Sequence, residues 1–89
     1  MDLNVAATIR ITPKSVTADL DEIKGKLEDI VRDYGKVHKS EIKDIAFGIK
    51  SIEAVILLND KKGGIDEIEE ELRCMNNVSQ VDIINISRF

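Results

Sequence analysis

Two segments of this chain repeat apolar residues every three and four positions, and the stretches around them alternate every two. Leu20, Ile23, Leu27, Ile30, Val31 and Tyr34 make the first stripe, and Ile65, Ile68, Leu72 and Met75 make the second. On a helix such spacing falls on one face, whereas alternation is the period of a strand covered on one side. Residues 4–12 alternate in that way, with Val5, Ala7, Ile9 and Ile11 on one face and Ala6, Thr8, Arg10 and Thr12 on the other, until Pro13 stops the run. Ser51 to Leu58 is the strongest strand, apolar on both faces, and reads as central. Val37 to Ile42 is poorer in apolar residues and suits a sheet edge. Val78 to Ile86, rich in β-branched residues, closes the pattern.

Local signals agree with these assignments. Asp19, with Glu22 three residues on and an Ala18/Ile23 pair around it, reads as a helix start, and Gly35 suits a left-handed stop after Tyr34. Asn59-Asp60-Lys61-Lys62-Gly63-Gly64 is turn chemistry, and Asn76-Asn77 ends the second helix. The stretch Asp44 to Lys50, which contains Phe47 and Gly48, reads as the connection between the second and third strands. The order is βαββαβ, an α+β, ferredoxin-like arrangement. Right-handed crossovers place two helices on one face of a four-stranded antiparallel sheet in the order 4-1-3-2. At 89 residues the chain holds one domain, residues 1–89, which must bury most of its apolar residues in a single core. Leu20, Ile23, Leu27, Ile30, Ile68 and Leu72 are the helix residues expected to cover the sheet.

Composition removes several classes of function. A net charge of −4 argues against coating phosphates with a basic face, and strands without aromatics before Phe89 cannot stack RNA bases, so no direct nucleic-acid partner is expected. His38 and Cys74 are each alone. Without partners they make neither a zinc site nor a Cys–His dyad, and they read as a surface imidazole and a buried thiol in a reducing compartment. Asp66, Glu67, Glu69, Glu70 and Glu71 sit beside an apolar stripe, which makes them a solvated helix face rather than acid–base catalysts. Gly63-Gly64 lacks the spacing and the Lys-Ser/Thr of a phosphate-binding loop. No catalytic residue, metal ligand or cofactor is assigned, and the chain does not read as an enzyme. The start, Met1-Asp2-Leu3-Asn4, has no basic lead or apolar run, and no stretch is long enough to span a membrane, so a cytoplasmic protein with no membrane partner is expected.

Two features stand outside this frame. Phe47 lies where a large apolar ring is normally avoided, beside a glycine that permits unusual backbone, and it either tucks under the connection or is presented to a partner. Ser87-Arg88-Phe89 leaves a cation at the rim of the sheet, on an end that either frays or carries a contact.

At these residues the chain resembles a known family. Ile45-Ala46-Phe47-Gly48-Ile49-Lys50 before a strong strand, then Asp60-Lys61-Lys62-Gly63-Gly64 before an acidic helix, then Val78-Ser79-Gln80-Val81-Asp82-Ile83 with a basic penultimate residue, is similar to the guanine nucleotide exchange domain of the elongation factor 1-beta family. The resemblance covers essentially the whole chain, and the short form and the start Val5-Ala6-Ala7-Thr8-Ile9 resemble the archaeal members. It implies an exchange factor that binds elongation factor 1-alpha, the GTPase that delivers aminoacyl-tRNA, and speeds GDP release. It further implies that Phe47, with Gly48 and Lys50 beside it, meets the second domain of the GTPase. Arg88 and Phe89, on the same resemblance, approach its magnesium and phosphate site. Arg88 departs from the Lys of eukaryotic members, and a planar guanidinium prefers a carboxylate or phosphate to a magnesium-sized hole. The rival reading is a regulatory module of similar topology that binds an amino acid at a subunit interface. It expects a Gly-rich turn after the first strand, where this chain has Thr12-Pro13-Lys14-Ser15.

Overall fold

The computed structural model describes residues 3–89. Met1 and Asp2, half of the stretch read above for a leader, lie outside the described residues. Among the described residues the elements are β1 (Val5–Pro13), α1 (Leu20–Arg32), β2 (Gly35–Ala46), β3 (Ile49–Leu58), α2 (Ile65–Arg73) and β4 (Val78–Arg88). The strands form one antiparallel sheet in the order β2-β3-β1-β4, the expected 4-1-3-2 read from the other edge.

The alternation in β1 and β3 decides where the core lies. Ile9 opposes Ala54 and Ile11 opposes Ile52, so their side chains share a face. Ile23, Leu27 and Val31 of α1 and Ile68 and Leu72 of α2 are buried against that face, with Leu20 and Ile30 partly buried beside them. Every helix residue expected in the core therefore packs on it. Asp19 caps α1 as anticipated, its carboxylate accepting the Glu22 N–H at 3.2 Å.

Several boundaries differ from the sequence reading, each for a local reason. β2 runs to Ala46 and β3 starts at Ile49, so the expected long connection from Asp44 to Lys50 shrinks to Phe47-Gly48. Both turn residues have positive φ, 53° and 80°, the backbone of a two-residue turn whose twist matches that of the strands. Bulges at His38 and Ile45 shift the β2 register, and this hid how far the strand extends beyond Val37 to Ile42. α1 stops at Arg32, short of Tyr34, and Gly35 is not left-handed, because the helix closes through Asp33 at φ −74°. Gly35 is required for space instead, since a Cβ there would fall on the Leu57 carbonyl. β4 continues past Ile86 to Arg88 by pairing with the start of β1. Cys74 is exposed rather than buried, because it follows Leu72 by two residues and so leaves the α2 stripe that faces the core.

Candidate functional site

Each end of the sheet carries one of the candidate groups. At the hairpin end Phe47 is 97% exposed, so the ring is presented and not tucked away. The turn leaves it no alternative: with Phe47 and Gly48 at the two central positions, the ring projects beyond the last paired residues, Ala46 and Ile49. A phenylalanine at φ 53° holds a conformation better suited to Asn or Gly, which makes its presence there costly to the fold. Lys50, exposed beside the turn, pairs across the strands with Asp44. Ile42, Ile45 and Val16 are also exposed at this end. Val16 comes from the β1–α1 connection and reaches the tip, with its Cγ1 within 3.9 Å of where a Gly48 Cβ would stand. Sequence reading missed these three, although two apolar residues in an otherwise polar edge strand were a signal for Ile42 and Ile45.

At the other end Arg88 is part of β4, opposite Val5. Its Nη2 lies 3.2 Å from Asp60 Oδ2, while the Arg88 side chain remains 76% exposed and that of Asp60 only 25%. The preference of a guanidinium for a carboxylate is thus met within the chain itself. Asp60 is fixed in turn by Asn4, whose Nδ2 donates to Asp60 Oδ1 and whose Oδ1 accepts the Asp60 N–H, both at 3.0 Å. Asn4 also accepts the Phe89 N–H at 3.0 Å and donates its own N–H to the Leu58 carbonyl at 2.9 Å. The C-terminal residues are therefore bonded to the sheet rather than frayed, with the Phe89 ring 69% exposed. Sequence reading missed the roles of Asn4 and Asp60, and only strand register could reveal them, because 56 positions separate the pair.

The surroundings of Arg88 favour contact over chemistry. Beside it, Val5, Ala7, Leu58, Ile65 and Ile86 line a mainly apolar notch of about 160 Å³. The neighbouring Lys61 and Lys62 follow Asn59, whose Oδ1 accepts both of their N–H groups at 2.9 and 3.1 Å and so shapes the turn. A larger hollow of about 430 Å³ lies between Tyr34 and α2, but Asp66, Glu67, Glu70 and Glu71 line it, and these carboxylates repel a nucleotide phosphate. Burial against α2, followed by the charges of Glu67, Glu71 and Asp33, raises the Tyr34 pKa above the ordinary phenol value. Among the described residues no group of three or more His, Cys, Asp or Glu is placed to hold a metal ion, and no helix is long and apolar enough to cross a membrane.

Comparison with known proteins follows the same outline. Residues 6–89 match the model of the EF-1 guanine nucleotide exchange domain. The chain is similar to elongation factor 1-beta of Methanococcoides burtonii, 36% identical over 84 residues that cover 94% of each protein. It is 33% identical to elongation factor 1-beta of Methanosarcina barkeri over 87 residues, 97% of this chain and 98% of that one. Among solved structures it resembles the ACT domain of the GTP pyrophosphokinase of Chlorobium tepidum, with a TM-score of 0.62 at 16% identity over 91% of this chain and 99% of that one. It also resembles the C-terminal domain of MgtC from Mycobacterium tuberculosis, with a TM-score of 0.66 at 10% identity over 98% and 88% of the two chains. At such identities these two likenesses concern the fold alone.

Proposed function

The chain belongs to the EF-1 guanine nucleotide exchange domain family, and from that membership we propose that it binds elongation factor 1-alpha in the cytoplasm and speeds release of GDP during translation elongation. The observation that carries this reading is the placing of two exposed contact groups at opposite ends of one sheet. From Phe47 to Leu58, at about 3.3 Å per residue, the separation is roughly 35 Å, close to the 39 Å longest dimension of the molecule. A partner that touches both groups is wider than one small domain, which suits a GTPase held by its second domain at one end and by its nucleotide site at the other.

An exchange factor performs no bond chemistry. Its free energy comes from contacts made better with the nucleotide-free partner than with the nucleotide-bound one, and linkage then requires that nucleotide weaken its binding by the same factor. Phe47, Gly48 and Lys50 supply the anchor, because burying a whole exposed ring in a pocket is how a small interface gains most of its affinity. Arg88 and Phe89 supply the disturbance. A cation brought to a magnesium and phosphate site competes with the ion and displaces the segments that hold it.

The direct test mixes the protein with elongation factor 1-alpha loaded with fluorescent GDP and follows the signal after addition of excess unlabelled nucleotide. Release that accelerates in proportion to added protein until it saturates is the expected result. An unchanged rate at all concentrations would remove the proposal.

A further inference from the structure

We propose that Asp60 is a positioning residue for exchange, held by Asn4 so that it fixes the direction in which the Arg88 guanidinium is presented. This rests on the exchange reading above and adds to it a part of the chain that makes no contact with the partner in that reading.

The argument begins with which member of the ion pair is the fixed one. Asp60 has three bonds to rigid structure or charge: its Oδ1 takes the Asn4 carboxamide, its N–H gives to the same carboxamide, and its Oδ2 takes Arg88. Asn4 is itself bonded through its backbone to β3 at Leu58 and to the last residue, Phe89. Asp60 is three-quarters covered, whereas Arg88 is three-quarters exposed. The carboxylate is therefore the post and the guanidinium is what is tied to it. Only Nη2 is engaged, so most of the five donors of the side chain remain directed outward. A free arginine at a strand end samples many rotamers, and fixing one beforehand removes that ordering from the step in which the docked protein brings the guanidinium to the partner's nucleotide site. An exposed ion pair adds little to stability, so the role shows in exchange and not in folding.

Asp60→Asn is the informative variant, because the amide oxygen still accepts the Asn4 bond and only the negative charge that Asp60 sets against Arg88 is lost. In the free protein the heteronuclear NOE of the Arg88 Nε–H is expected to fall in Asp60→Asn, and an unchanged value overturns the proposal. In the exchange assay the maximal rate is expected to drop about five- to tenfold, with the half-saturating concentration shifted less than about twofold and the melting temperature within a few degrees of wild type. Asp60→Glu should recover at least half of the rate. In an Arg88→Ala background Asp60→Asn should change the rate less than about twofold, since two residues acting through one group do not add. Additive losses, an unchanged rate, or a faster rate, which would mean that Asp60 restrains the cation instead of aiming it, each overturn the proposal. Wild-type protein that leaves GDP release unchanged would instead remove the exchange reading and this role with it, so the two failures are distinct.

Discussion

Phe47 and Arg88 occupy opposite ends of one continuous sheet: Arg88 pairs with Val5 and Val5 with Leu58, while Phe47 turns the far end of the hairpin to which Leu58 belongs. Neither side chain rests on the core, yet the strand between them includes Ile52, Ala54 and Ile56, all fully buried. The spacing of the two groups is therefore set by an inner strand whose core-facing side chains are fully buried.

Phe47 holds an unfavourable backbone for the sake of its position. Replacing it with Gly should relieve a φ of 53° and leave thermal stability equal or higher, by up to about 1 kcal/mol. The same change removes an apolar ring that is worth about 2 kcal/mol or more if a partner pocket buries it. Calorimetry and titration against the GTPase should thus move in opposite directions. A sharp fall in melting temperature with affinity retained would show that the ring serves the fold.

Two glycines should respond to alanine with opposite signs. Gly64 caps α2 at φ 111°, and a Cβ there would enter the Tyr34 ring, so Gly64→Ala is expected to destabilise by about 2–4 kcal/mol. Gly25, inside α1, has open space around its Cβ position and should gain about 0.5–1 kcal/mol as alanine. Urea denaturation of both variants checks the pair, and a stable Gly64→Ala would mean that α2 can begin elsewhere.

Tyr34 is the one tyrosine in the sequence, so phenolate absorbance follows it without interference. Its pKa is raised by burial first and by Glu67, Glu71 and Asp33 after that. The folded state holds the phenolic proton more tightly than the unfolded chain does. Its contribution to stability is therefore complete below the ordinary tyrosine value near 10 and is lost as pH rises through the folded value. The folded protein should titrate above the urea-unfolded one. Glu67→Gln should lower the midpoint while leaving it raised, since burial is the larger cause, and a return to the unfolded value would contradict that order.

The helices and the two central strands were legible because their apolar periods are regular and their core partners lie on one face: Leu27, Ile68 and Ile52 could be placed from spacing alone. β2 was legible as an edge strand, which it is, but its full length was not, because bulges at His38 and Ile45 break the alternation. The tightness of the Phe47-Gly48 turn was hidden for a related reason, as Phe is not a residue that announces positive φ. Phe47 and Arg88 drew attention through residue type and position. Asn4 and Asp60 did not, since a polar residue near a turn is ordinary until register brings it to another segment. The helix stop at Asp33 shows the same limit, because the role of Gly35 depends on a carbonyl 22 residues away, at Leu57.

Arg88 should matter through charge placed at the partner's magnesium site more than through affinity. The C-terminal end of the sheet carries Lys61, Lys62 and Arg88, but only Arg88 is on a strand whose backbone is paired to the end and whose side chain is oriented by a carboxylate. The acidic residues of α2 cannot replace it, since they carry the opposite charge. Arg88→Ala is therefore expected to slow GDP release about tenfold in Mg²⁺-containing buffer while weakening binding to the nucleotide-free GTPase only about two- to threefold, because a charge that acts on the competing ion is felt in the barrier more than in the final complex. In buffer with Mg²⁺ chelated the ion no longer has to be displaced, and the difference between wild type and variant should narrow. Arg88→Lys keeps the charge but loses the guanidinium through whose Nη2 Asp60 aims the side chain, so it should restore part of the rate. Equal slowing with and without Mg²⁺, with Lys no better than Ala, would show that the side chain acts away from the ion.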